Sequence, residues 1–509
     1  MSNKYPVLRI SIALALACAV SHQALAIELK DAVEKAIVNN PEVRLKWHQF
    51  RGAGEDVGVG RAGFLPSVDL SYEATRQRFD YAPSSTSDQR YTTRGWTATL
   101  TQNLFQGFQT YNTVKQLGYD QQARYFDFLE ASESMALQVT QAYADVLRYR
   151  QLVEFAQENY ATHKGIYDQI QKKVQAGAGR RVDFEQAAGR LALAESNLIT
   201  ETSNLHDVSV RYSRLVGIEP PAQLSPLPGW QTALPKGPDL LASAVGRSPA
   251  YLSALSTVRS ARSEVSARRG AFSPTLDLRA SKGYTNDYED ISGQTRRSSV
   301  GLVFNVNLFR GGADRARLGS SAEKLNTTLD LRDKVCRDLR QTVRIAYNNV
   351  VKLQDQMNSL RQHQLSTEKA REAYRKQFDI GQRTLLDVLD SENELYDAKR
   401  AYVNAQMDHT TAQASVLANS GRLLETLRLK PIEEYETKDG LSAEERGACD
   451  TAYTPPPAVD VNAIQPRPYV AATADVELPA AEAPKPAEPV KSVKPVKPAA
   501  KPASAPAKP

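Results

Sequence analysis

From Tyr111 to Ala176 the chain keeps a helical pattern without a proline, and at 1.5 Å per residue such a helix is roughly 100 Å long. A helix of that length does not fit inside one compact domain. It belongs to a rod, a bundle or a tube. A turn at Gly177 follows, and a return helix predicted from Asp183 to Val216 stops at Gly217. The device recurs about two hundred residues later, in FDIGQRTLLDVLDSENELYDAK, where Gly381 takes the place of Gly177 and Asp387 that of Asp183. The chain is an internal duplication. Glycine adopts the left-handed conformation that ends a helix, so both glycines read as tips of helical hairpins.

The two tips differ in chemistry. In the second, Thr384 stands where an N-cap belongs, and Asp387 three residues on completes a Thr-x-x-Asp start signal. Asp390 shares a helix face with Asp387, being three residues away. In the first copy the counterparts of Arg383, Thr384 and Asp390 are Gly179, Arg180 and Gln186, so only the second tip is doubly acidic. Downstream, Val388, Leu395, Tyr402, His409, Val416 and Leu423 recur every seven residues, as do Leu389, Tyr396, Val403, Thr410, Leu417 and Leu424. The first copy repeats the seam with Phe184, Leu191, Leu198, Leu205 and Tyr212. A seven-residue period sustained this long predicts a left-handed coiled coil.

Taken in order, residues 1–26 read as a secretory leader: Lys4 and Arg9, an apolar run, then Ala24-Leu25-Ala26 before the cleavage site. The apolar run is too short for a membrane anchor. Cys18 raises a lipoprotein alternative, disfavoured because Leu16 is badly placed for a lipid-attachment box. The first structural repeat covers 27–218 and carries a β-hairpin at 65–105. A linker at 219–238 leads to the second repeat at 239–429, with its hairpin at 273–309. In the first hairpin Val68, Leu70, Tyr72 and Ala74 alternate with polar residues, a strand with one apolar face. Ser and Pro fill the loop from about Asp80 to Gln89, and Trp96, Ala98 and Leu100 continue the alternation. Pro66 and Pro274 mark matching helix-to-strand junctions, and NLFQG at 103–107 and NLFRG at 307–311 bracket the other ends. In the last strand Val300, Leu302, Phe304, Val306 and Leu308 form the apolar face. From 430 to 509 the chain is expected to be a disordered tail rich in Pro, Ala and Lys.

Composition excludes more than it proposes. A formal charge of +6 over 509 residues is small, and much of it lies in the tail, so nothing argues for nucleic acid. Beyond the leader the histidines are His48, His163, His206, His363 and His409, no two at metal-ligand spacing on one helix. There is no CxxC, HExxH, phosphate loop or GxSxG, so no enzyme, metal site or cofactor is expected. Cys336 and Cys449 remain beyond the leader. An oxidising compartment permits a disulfide between them, but their places in a helix and in a polar tail disfavour it.

No segment past the leader is apolar for the ~20 residues of a membrane helix, so insertion would need β-strands in a closed barrel. Four strands are too few for one, since about eight is the smallest in general use. Copies must share a barrel, and three protomers would supply twelve strands, with the helices continuing as a coiled-coil tube. Asp387 and Asp390 from three copies would then ring the far opening, crowd one another, raise one another's pKa and attract cations. The alternative is a periplasmic coiled-coil rod or adaptor that never enters the membrane. Such a rod has no use for strands with outward Val, Leu, Trp and Phe.

The duplicated order and the stretch GQRTLLDVLDSENELYDAKRAY closely resemble the TolC family of outer-membrane efflux and secretion channels, over about Ile27 to Leu429. The resemblance implies an α+β membrane protein: a homotrimer with a 12-stranded outer-membrane β-barrel, continuous with a periplasmic α-helical tunnel. It implies docking to a periplasmic adaptor and to an inner-membrane ABC or proton-driven transporter, in type I protein secretion or multidrug efflux. By position, Asp387 and Asp390 resemble the acidic ring that constricts the entrance and binds blocking cations. Arg383 resembles the gating arginine, with Asp183 as its acidic partner. The family's gating tyrosine corresponds to Phe378, which lacks a hydroxyl, so the closed state is expected to open more easily.

Overall fold

The computed structural model describes residues 27–79, 89–235, 237–288, 291–437, 440–453 and 460–467. The expected leader and most of the Ser/Pro loop, at 80–88, lie outside the described residues. Two helices open the first repeat, α1 (Leu29–Asn39) and α2 (Pro41–Ala62). Proline cannot continue a helix but suits a first turn, and Asn40 turns the break into a cap. Its side-chain oxygen accepts from the Glu42 N–H at 2.9 Å, while its amide donates to the Leu215 carbonyl at 3.2 Å. Strands β1 (Ser67–Phe79) and β2 (Gln89–Phe105) follow, then α3 (Gln109–Gln175) and α4 (Arg181–Val216). The second repeat supplies α5 (Leu240–Arg247), α6 (Pro249–Gly270), β3 (Thr275–Tyr288), β4 (Ile291–Asn305), α7 (Ala313–Asp379) and α8 (Leu385–Asn419). The long outgoing helices α3 and α7 are 67 residues each, about 100 Å. Pro66 and Pro274 each immediately precede a strand. The NLF-Gly motifs earn their glycines, because the strand-to-helix turns put Gly107 at φ 59° and Gly311 at φ 61°. Strand β4 stops at Asn305, so Val306 and Leu308 fall beyond it.

The four strands form one antiparallel sheet in the order β1-β2-β3-β4. Residues opposite each other share a face, which sorts the sheet cleanly. Val68, Leu100, Ala280 and Val300 form one rung, and Leu278 faces Leu302 and Leu276 faces Phe304 on the same side. Asp69, Thr99 and Ser281 lie on the other side, where the Ser281 and Ser299 hydroxyls are 2.8 Å apart. The apolar side is bare: Leu70 is 74% exposed and Val300 77%. β1 and β4 have free outer edges within the described chain. No helix among the described residues is long and apolar enough to cross a membrane.

The main cores lie around the middle of the long helices. One joins α1 and α2 to α3, α4 and the end of α8 through Val33, Phe50, Phe128, Tyr143, Tyr212 and Leu417. Tyr143 is fully buried, and its hydroxyl donates within 2.8 Å of both the Ile27 and Ser225 carbonyls, which meets the need of a buried phenol for partners. The seam holds in α8, where Val388, Leu395, Tyr396, Val403, His409, Val416 and Leu417 are all buried. Glu133 is buried too. It accepts the N–H groups of Leu423 and Leu424 at the start of the short helix α9 (Leu423–Thr426), and burial pushes its carboxyl up to about 8.

Two expectations are corrected. Cys336 and Cys449 form a disulfide. And residues 430–437 and 440–453 are not a disordered tail but a strap folded onto the helices, while 454–459 and 468–509 of the expected tail lie outside the described residues. Tyr435 packs against Phe50 and Tyr125, and Trp47 donates to Glu433 at 2.8 Å. Helix α10 (Ala443–Gly447) begins with a Ser442/Glu445 capping box. Glu445 pairs with Arg259 at 2.6 Å, and that hydrogen bond, helped by Ser442, holds its carboxyl down at about 2. Tyr453 meets Tyr347 edge-on. The segment looked like tail because it is polar; a few anchors replace a continuous apolar stripe. Residues 460–467 belong to a separate unit and contain one short turn, Val461–Ala463.

Candidate functional site at the hairpin tips

Both tips have the same backbone. Gly177 has φ 76° and Gly381 φ 77°. After each, the next N–H reaches back to close the helix: Ala178 to the Lys173 carbonyl at 2.9 Å, Gln382 to that of Gln377 at 2.8 Å. They restart differently. Helix α4 begins after Arg180, which provides no side-chain cap, whereas α8 begins with a full capping box. There the Asp387 N–H donates to the Thr384 hydroxyl oxygen at 3.3 Å and the Thr384 N–H to the Asp387 carboxylate at 3.1 Å. The Thr384 hydroxyl also donates to that carboxylate at 2.8 Å.

These contacts set the charge of Asp387. The Thr384 hydroxyl, then the Thr384 N–H, then Arg383 hold its carboxyl below the usual carboxylate range. Within a protomer the local partners thus oppose the rise expected from crowding in a ring. Asp390, 53% exposed, forms an ion pair with Arg190 of α4. Arg383 lies over the Tyr374 ring at 4.4 Å, donates to Gln377 at 3.1 Å and approaches Asp387 at 3.8 Å. It does not pair with Asp183, which sits in the first turn of α4 and makes no ion pair among the described residues. Phe378 packs in a small cluster with Leu385, Leu389, Tyr167 and Phe184, and Lys173 stands over its ring at 5.7 Å. That cluster brings the two tips together in one protomer.

Sequence reasoning missed the ties between the copies. Arg190 holds Asp390, Lys399 meets Glu158 at 2.7 Å, and Arg400 meets the buried Glu201 at 2.6 Å. The buried His163 hydrogen-bonds Asn393 at 3.1 Å, and burial pushes its imidazole below the usual histidine range. A duplication offset aligns Arg190 with Glu394, a charge reversal that was the available signal. Among the described residues no group of three or more His, Cys, Asp or Glu could hold a metal.

The profile of the family described as outer membrane efflux protein matches residues 32–217 and again 240–422. The chain belongs to that family. Its members are outer-membrane channel proteins of Gram-negative bacteria rather than enzymes, and the TolC resemblance stands. The chain is 26% identical to the outer membrane efflux protein BepC of Brucella suis, over 81% of this chain and 91% of that one. It is 28% identical to the alkaline protease secretion protein AprF of Pseudomonas aeruginosa, over 79% and 85%. To the outer membrane protein TolC of Escherichia coli it is 25% identical, over 84% and 90%. The outer membrane channel CmeC of Campylobacter jejuni shares the fold, with a TM-score of 0.72 at 18% identity over 83% of this chain and 90% of that one. The chain therefore has the fold of the family's outer-membrane channel proteins.

Proposed function

We propose that the chain assembles as a homotrimer whose four-stranded sheets close into a 12-stranded barrel in outer-membrane lipid. The helices continue it as a periplasmic tunnel, a passive exit duct. The observation that carries this reading is the open sheet, with one bare apolar face and two long unpaired edges, β1 and β4. Unpaired strand edges are intolerable in hydrocarbon and invite pairing elsewhere; β4 of one protomer against β1 of the next satisfies both. Leu276 to Tyr284 spans about nine residues, the length of a membrane β-strand.

Asp387 and Asp390 of three protomers ring the periplasmic entrance and bind polyvalent cations, with Arg383, Asp183 and Phe378 in the gating network. Driving energy comes from an inner-membrane ABC or proton-driven transporter reached through a periplasmic adaptor. The names of BepC and AprF support efflux and protein secretion alike as the duty of the duct.

Single-channel conductance in a planar bilayer tests this. The wild type should give a small, cation-selective channel blocked by a trivalent cation added from the helical side, and the Asp387→Ala, Asp390→Ala double variant should escape the block. A protein that forms no channel and stays soluble without detergent would overturn the reading in favour of a periplasmic rod.

A further inference from the structure

The apolar side of the sheet changes character along its length. From Leu276 and Phe304 it is mainly aliphatic and aromatic, interrupted by Gln102 and by Lys282 with Ser298, up to the rung Tyr72, Trp96, Tyr284, where the Trp96 and Tyr284 rings meet edge-on at 5.6 Å. Such a row is what an apolar band carries at its boundary with water. This boundary is the one nearer the β-hairpin turns, away from the helices. Around it the same side gathers cations from every strand, with Arg78 and Arg90 paired one rung beyond Arg76. Lys282 lies one rung inside the row, between Ala98 and Ser298; Arg296 lies in it, opposite Tyr284. Arg94 is one rung beyond, opposite Ala74, and Arg76 the next, opposite Thr92.

Arg76, Arg94, Lys282 and Arg296 are exposed, and none makes an ion pair among the described residues. Among the paired positions of the described strands no carboxylate shares their side: Asp69, Glu73 and Asp277 point to the other, where Asp277 pairs with Arg279 at 3.7 Å, and Asp287 lies in the irregularity between Asn286 and Tyr288, where it accepts the Gly293 N–H at 3.4 Å. Lysine and arginine stems can lie along an apolar surface and lift their charges to its edge. A side facing acyl chains has no use for four unpaired cations at one boundary unless the lipid supplies the counter-charge. Arginine in particular matches phosphate oxygens by paired N–H donors.

We infer that Arg76, Arg94, Lys282 and Arg296 form a binding surface for the phosphate-bearing headgroup of an outer-leaflet lipid, with the Tyr72, Trp96, Tyr284 row seated under it. This rests on the barrel reading, and gives each protomer one such surface. Binding would hold the sheet at a fixed height in the membrane. It would also give the barrel a preference among lipids by headgroup charge.

The test uses the full-length protein in detergent, with binding of bisphosphorylated lipid A and of chemically dephosphorylated lipid A followed by native mass spectrometry. The wild type should prefer the phosphorylated lipid. A variant with Arg76→Gln, Arg94→Gln, Lys282→Gln and Arg296→Gln should bind it at least about tenfold more weakly, since each cation near an anionic lipid surface counts separately. Arg297→Gln, on the other side of the sheet, should bind as wild type. Should the fourfold variant fail to assemble, Arg94→Gln and Arg296→Gln singly give the same comparison, and Arg296→Lys should retain binding. Equal binding of both lipids, or no loss in the variants, overturns the inference while leaving the barrel standing. A wild type that does not insert into lipid vesicles at all removes the barrel reading and this surface with it.

Discussion

The two hairpin tips share a backbone and little else. Gly177 and Gly381 differ by one degree in φ, yet the first tip restarts its helix without a side-chain cap and the second with a capping box. The seams differ in the same sense. Val388, Leu389, Leu395 and Tyr396 in α8 are buried, whereas Phe184, Leu191, Leu198 and Leu205 in α4 are only partly so. Duplication has kept the geometry that makes a hairpin and let the chemistry diverge. One copy became a capped, doubly acidic tip, the proposed mouth, and the other a brace that reaches across with Arg190 and Lys173.

If the first tip is a brace, cutting it loose should have the largest effect. Arg190→Ala frees Asp390 and is expected to raise single-channel conductance several-fold. Arg181→Ala removes only an exposed pair with Glu185 in the same helix and should change nothing. Equal behaviour of the two would end the distinction between brace and mouth. Thr384→Ala should cost about 1 kcal/mol of local stability, read as faster amide exchange at 385–388, while Arg180→Ala at the equivalent position should cost almost none. The comparison also has a pH signature. Because the folded carboxyl of Asp387 lies below its unfolded value, its contribution is complete above the unfolded pKa, about 3.9. It is lost as pH falls through the lower folded value. Amide protection at the second tip should fall over that range, and Asp387→Asn should flatten the profile. The smallest effect is expected at Phe378. Phe378→Tyr adds a hydroxyl to the ring under Lys173 and should lower conductance modestly; no change in conductance would end the idea that the missing hydroxyl eases opening.

Much of this was legible in the residues. The duplication, both turn glycines, the Thr384/Asp387 cap and the alternating strands follow from local rules of φ, capping and period, and each lies where those rules place it. What was not legible depends on how separate elements sit against one another. Arg190 reaches Asp390 because of the stagger between α4 and α8, which a heptad pattern leaves free. The strap formed by 430–437 and 440–453 carries its own signal in Ser442-x-x-Glu445, but its polar composition hid it. Its hold comes from anchors such as Glu433, Tyr435, Glu445, Cys449 and Tyr453, whose partners are scattered over helices far away in sequence.

The disulfide between Cys336 and Cys449 spans 113 residues of sequence, and those residues include the lower part of α7, the doubly acidic tip and all of α8. Mechanically this is a bypass. Tension applied to the chain beyond Cys449 enters α7 at Cys336, near the cores, and runs past the enclosed loop without loading it. Whatever pulls on the lysine-rich end, the covalent path leaves the tip unloaded, held only by its own capping box and by its contacts with the first tip, Arg190 on Asp390 and Lys173 over Phe378.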